Sequence, residues 1–227
     1  MPNVRQAYRF ALREIVRRPV YWTLVSLLSF AILLVAERPG MELLAPVIYL
    51  TVFIGISQAA LKAGIGYPYG IRDLLPGWRK GLRCWLLILL CLPFFLAFLY
   101  IVIRVTGLSR PVLTGSVTEC VFELIFYRFS FAWFYLLSTG TGIRDSMQLS
   151  WDSIRPNMAP GFCWAILLSY LLSLPGLIAD WWLGCESGVW ANLLVPVISS
   201  LAFANLFQQV HCRGVTAGDA DESEIKS

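Results

Sequence analysis

Charge is what this sequence has least of. Asp, Glu, Lys and Arg make up 14% of its 227 residues, where soluble globular chains carry about 25%. A water-soluble domain of this length is excluded on that ground. Histidine is nearly absent, His211 alone, and none of the six cysteines (Cys84, Cys91, Cys120, Cys163, Cys185, Cys212) stands in a C-x-x-C pair. A structural or catalytic zinc needs about four convergent ligands, and nothing here has that spacing. There is no G-x-S-x-G, no H-E-x-x-H and no Walker A motif. The Gly140-Thr141-Gly142 run lacks the strand-to-helix setting of a phosphate loop. No catalytic residues, cofactor or metal are expected, and an enzyme is not the reading the residues support.

Apolar residues are abundant, at 58%, with a mean hydropathy of +0.68. They gather into runs of the length a bilayer demands, since a hydrocarbon core about 30 Å thick needs about 20 apolar residues of helix. Six such runs are read as spans: Val20 to Ala36, Leu43 to Leu61, Leu82 to Ile103, Val117 to Ser138, Phe162 to Leu183 and Val189 to Val210. The fold class is therefore all-α: a polytopic membrane helix bundle with amphipathic helices at the interface. Residues 1–212 form one integral membrane domain, and the acidic tail 213–227, with Asp219, Asp221, Glu222 and Glu224, has nothing to bury and is expected to be disordered. Pro93, Pro175 and Pro196 fall inside spans and should kink them.

The cationic residues sort by side. Arg5, Arg9, Arg13, Arg17, Arg18, Lys62, Arg72, Arg79, Lys80, Arg83, Arg144, Arg155, Arg213 and Lys226 fall on one face of the six-span arrangement, and only Arg38, Arg104 and Arg110 on the other. The positive-inside rule then places both termini in the cytoplasm of a bacterial inner membrane. Trp22, Trp78, Trp85, Trp151 and Trp164 fall near that face, and Trp181, Trp182 and Trp190 near the opposite one, as headgroup-seeking indoles should. Ahead of the first span, Val4 to Arg18 reads as a basic amphipathic helix. Arg5, Arg9, Arg13 and Arg17 make one stripe, with Val4, Ala7, Tyr8, Ala11, Leu12 and Ile15 opposite. Such a helix lies in the headgroup layer against anionic lipid. The lipid bilayer, a protein partner or a second copy of the chain are the expected partners, and nucleic acid is not.

Two links resemble each other. Gly70-Ile71-Arg72-Asp73, Trp78 and Cys84-Trp85 lead into a span with Leu92-Pro93; Gly142-Ile143-Arg144-Asp145, Trp151 and Cys163-Trp164 lead into one with Leu174-Pro175. We read a parallel internal repeat of span, interfacial helix and span, each Asp capping the helix that follows. In the second copy Ile143, Met147, Trp151 and Ile154 share a face that should lie flat on the inner leaflet.

Within the fourth span stand Glu119, Glu123 and Arg128. Arg128 is about 15 Å into that span at 1.5 Å per residue, where an arginine must face another helix, a wet cavity or a carboxylate; Asp180 is a candidate partner. These are the candidate residues of an ion or substrate path, or else a structural ion pair. Cys120 and Cys185 share the outer side, where a disulfide is open to them if it is oxidising.

The arrangement resembles the six-span bacterial membrane families of the YciC type and the membrane domain attached to some glycerophosphodiester phosphodiesterases. The likeness rests on Ala11-Leu12-Arg13-Glu14-Ile15 and on Ser146 to Ile154, with Ser150-Trp151 ahead of a Leu-rich span, and would cover residues 4 to 210. It implies a membrane bundle without an assigned active site; the phosphodiesterase domain has no counterpart here. A weaker likeness, at Ala11 to Leu24, is to the start of ABC permeases. Two functions stay open: a non-enzymatic scaffold, partner-binding or envelope component, and a transporter or permease subunit.

Overall fold

The computed structural model describes residues 2–36, 44–74, 78–106, 118, 120–183 and 194–224. Among these the regular structure is helical, with no strand. Helix α1 (Val4–Arg17) starts where the Asn3 side chain accepts a hydrogen bond from the Gln6 N–H at 3.0 Å, a standard way to satisfy a first-turn donor. It stops at Arg18, and Pro19 opens α2 (Pro19–Ala36), where its missing N–H costs nothing. Helix α3 (Leu44–Ile65) ends at Gly66, which has φ 79°. The chain then folds back along α3 and makes a 3₁₀ turn at Ile71–Leu74. Helix α4 (Trp78–Thr106) and, later, α7 (Ala159–Leu183) run through Pro93 and Pro175. Between them come a helical segment 120–125, a 3₁₀ turn at Tyr127–Phe129, and the helices α5 (Ala132–Thr139) and α6 (Ile143–Ser153). The last helix, α8, covers Val195–Glu224.

At the centre α3 and α8 pack side by side, with α1 laid along α8, α2 against α3, and α5 and α6 forming a tight pair. The core is aromatic. Phe207 stacks on Phe134 at 5.6 Å, and Phe131 meets the edges of Phe162 at 5.0 Å and Phe207 at 5.3 Å. Such pairs add about 0.5–1.5 kcal/mol beyond area burial. Helix α4 is the opposite case. Leu82, Leu86, Leu89, Leu90, Leu92, Phe94, Leu96 and Ile101 are all exposed, so it is apolar all round with little protein cover. By length and composition such a helix could cross a membrane. Among the described residues, two helices are long and apolar enough to cross a membrane, α4 and α7.

The described parts of five of the six apolar runs each fall in a single helix, α2, α3, α4, α7 and α8; Leu43 and 189–193 lie outside the described residues. The fourth run does not fall in one helix. Its described part breaks at Phe126–Phe131, where the chain turns through Tyr127–Phe129 before α5 begins. An eight-residue α5 is too short to span about 30 Å of hydrocarbon. Pro196 sits in the first turn of α8, not inside a span, so it has no hydrogen bond to break.

Candidate functional site

Helix α1 carries the most concentrated charge. Arg5, Arg9, Arg13 and Arg17 are all exposed, as their four-residue spacing requires. The inner face is narrower than expected: Ala7 and Ala11 are fully buried, and Tyr8 and Glu14 join them. The two alanines let α1 approach α8 closely. Leu12 is not inward, as the sequence reading had it. At 100° per residue it falls beside Arg5 and Arg9, and it is 54% exposed, with Val16 at 78%. The outer face of α1 thus pairs an apolar strip with the arginines. The helix does not float on its inner face; the bundle holds it.

Polar anchors do the holding. The Tyr8 hydroxyl donates to Ala165 O at 3.0 Å and lies 2.8 Å from Ser169 Oγ, both on α7. Burial pushes the Tyr8 phenol up; Ser169 opposes this and the Glu123 charge adds to it. Glu123 therefore sits within electrostatic reach of the α1–α7 contact. At the other end Glu14, 6% exposed, accepts from the Tyr69 hydroxyl and lies 4.0 Å from Arg17. The Arg18 guanidinium stacks over the Tyr69 ring at 4.5 Å and donates to Tyr69 O at 3.2 Å. Burial raises the Tyr69 phenol well above its usual range, helped by the hydrogen bond to Glu14. Trp22, expected at headgroup depth, is instead fully buried against Tyr21 and Tyr69, with ring centroids at 4.9 and 5.5 Å.

The fold-back after α3 is fastened by Asp73. It accepts from Lys62 Nζ at 2.6 Å and from the Gly70 N–H at 2.9 Å. Partial burial pushes its carboxyl up, but Lys62 and Gly70 outweigh this and hold it below its ordinary 3.8. A lowered carboxylate stabilises the native state above its ordinary pKa, and that contribution disappears as pH falls through the lowered value. Below about pH 4, docking of residues 66–74 on α3 is expected to weaken, and Asp73→Asn should remove this step; hydrogen exchange of residues 66–74 across pH measures both. Here the two similar links diverge. Asp73 caps a four-residue 3₁₀ turn, whereas Gly142 starts the 11-residue α6 without a side-chain cap bond.

Arg128 lies at the break in the fourth run. Its guanidinium donates to Trp151 O at 2.7 Å and to Ile154 O at 3.1 Å, and covers the Trp151 ring at 3.7 Å. It closes the C-terminus of α6, where free carbonyls and the helix dipole favour a cation. Of the surroundings expected for it, the structure supplies another helix. Ser150, fully buried, donates to Arg128 O at 2.7 Å and accepts from the Phe131 N–H at 3.1 Å. The sheltered face of α6 is then Ile143, Ser146, Met147, Ser150 and Ile154, and Trp151 lies outside it at 44% exposure. Small serines let α5 come near, which turns α6 away from the face read from the sequence. Asp180 lies in α7, but its side chain is outside the described residues, as are Glu119 and Cys185. No motif marks the roles of Tyr69 and Ser169, and Glu14 and Ser150 are singled out in the sequence only through the family likeness. Glu14 carries a further signal: it is the one acid of a basic helix, and it falls on the Ala7–Ala11 face.

No family model, no curated protein and no solved structure matches this chain.

Proposed function

We propose that this chain is a multi-pass protein of a bacterial inner membrane, with both termini in the cytoplasm, acting without catalysis as a scaffold or partner-binding component of the envelope. The observation that carries this reading is the outer face of α1, whose exposed arginines run beside exposed Leu12 and Val16 while Tyr8, Ala11 and Glu14 lock the helix to the bundle. Apolar residues beside cations, held rigidly, suit the boundary between acyl chains and anionic headgroups. The all-round apolar α4 and α7 supply the spanning helices, and the apolar α2, α3 and α8 complete the bundle. Reporter fusions at Ser227 and after Leu108 test the topology. Ser227 should read out inside and the second fusion outside; an external Ser227 sinks the reading. A stable partner recovered in mild detergent is the expected mark of a scaffold.

The transporter reading keeps one supporting observation, the Tyr8–Ser169 contact between helices with the Glu123 charge within electrostatic reach of it. Glu123→Gln separates the two. A scaffold loses folded protein or nothing, whereas a transporter keeps its protein level and loses solute uptake.

A further inference from the structure

Between α1 and α8 lies an open cleft of about 380 Å³, walled by Arg5, Arg9, Arg13, Gln6, Phe10 and Asn205, with Asn3 at its end. We propose that it binds a phosphate-bearing anion of the phosphomonoester class, which deepens the membrane-surface reading above and rests on it.

The three guanidiniums come from successive turns of one helix, about 6 Å apart along its axis. Among the described residues none of the three has a carboxylate partner; the ion pairs there are Arg17–Glu14 and Lys62–Asp73. Like charges four apart on a helix repel, and α1 holds them in place through Tyr8, Glu14 and the Asn3–Gln209 contacts at 2.7 and 3.4 Å. A charged row fixed in this way is relieved by a multivalent anion. Arginine forks match phosphate oxygens in pairs, and such charge-assisted bonds are about twice as strong as neutral ones. The amides add neutral donors: Gln209 Nε2 donates to Asn205 Oδ1 at 2.9 Å, which leaves the Asn205 nitrogen for the cleft. Phe10 gives an apolar wall for whatever is esterified to the phosphate. The volume falls within the range of small-molecule sites. Arg17 belongs to the same stripe but lies outside the cleft, beside Glu14. That separates a built site from general surface charge.

The test uses the full chain in nanodiscs of phosphatidylcholine doped with phosphatidic acid or, at equal charge, phosphatidylglycerol. Retained lipid is read by native mass spectrometry, and thermal midpoint is followed with each lipid and with inorganic phosphate. Phosphatidic acid should be retained over phosphatidylglycerol. The Arg9→Gln/Arg13→Gln pair should lose about tenfold or more of that affinity, from losing charge-assisted bonds, while Arg17→Gln keeps it and Arg9→Lys/Arg13→Lys restores part. A midpoint shift by inorganic phosphate that the same pair abolishes assigns the site to a free phosphate and upholds the anion chemistry. Equal retention of the two lipids, or equal losses from Arg17→Gln and from the cleft pair, overturns the cleft but leaves the membrane-surface reading standing. Failure of the reporter topology would sink that reading separately.

Discussion

Gly55→Ala should leave little correctly folded protein. A Cβ at Gly55 would stand 2.0 Å from Leu74 O, 2.5 Å from its carbonyl carbon and 2.6 Å from its Cα. All three are backbone atoms, so no rotamer change relieves the clash. Either α3 deforms or residues 66–74 come off it. The second course breaks Lys62–Asp73, frees the Tyr21 hydroxyl from Gly70 O at 3.3 Å, and loosens the Arg18–Tyr69 stack that helps anchor α1. Overpacking of a flexible core costs about 1–3 kcal/mol; against rigid backbone the upper end or more is expected. Two glycines serve as controls. At Gly64 the nearest atoms to a Cβ would be those of the flexible Gln208 side chain, from 3.0 Å, and at Gly70 nothing lies within 4 Å. The ranking of damage should be Gly55→Ala far above Gly64→Ala, with Gly70→Ala nearly silent, in yield and in the midpoint of denaturant unfolding in detergent. A Gly55→Ala protein as stable as wild type would show that the fold-back does not touch α3.

Ser150→Ala comes next. The substitution removes one hydroxyl and strands two main-chain groups, the Phe131 N–H and Arg128 O. Each unsatisfied buried group costs about 1–3 kcal/mol, so a loss of about 3 kcal/mol is expected, read as a lower unfolding midpoint. Arg128→Lys keeps the charge but cannot fork between Trp151 O and Ile154 O, and its loss should be smaller. Since the two side chains close the same corner, their effects should fall short of additive in a double-mutant cycle. Full additivity would mean that the serine and the arginine act on separate parts of the structure.

Where the helices lie was readable because a helix bonds to itself. The runs at Leu82 and Phe162 needed only length and apolarity to become α4 and α7, and the four-residue rhythm of Arg5, Arg9, Arg13 and Arg17 needed only 3.6 residues per turn to become one exposed stripe. The break at Arg128 was not readable, since Phe126 to Ser130 carries no proline or glycine. What interrupts the helix there is the Ser150 hydroxyl, supplied from 19 residues beyond Phe131.

The sequence by itself determined an all-helical chain with long apolar helices and an exposed arginine stripe on its first helix, because these follow from local hydrogen bonding and from residue spacing along a helix. Only the tertiary structure decided which side chains meet: Tyr8 with Ala165, 157 positions away, Glu14 with Tyr69, Arg128 with α6, and the arginine row with Asn205 across a cleft. A contact between distant segments depends on how whole helices cross, and that is set by small residues such as Ala7, Ala11, Gly55 and Ser150 whose size matters only once a neighbour arrives.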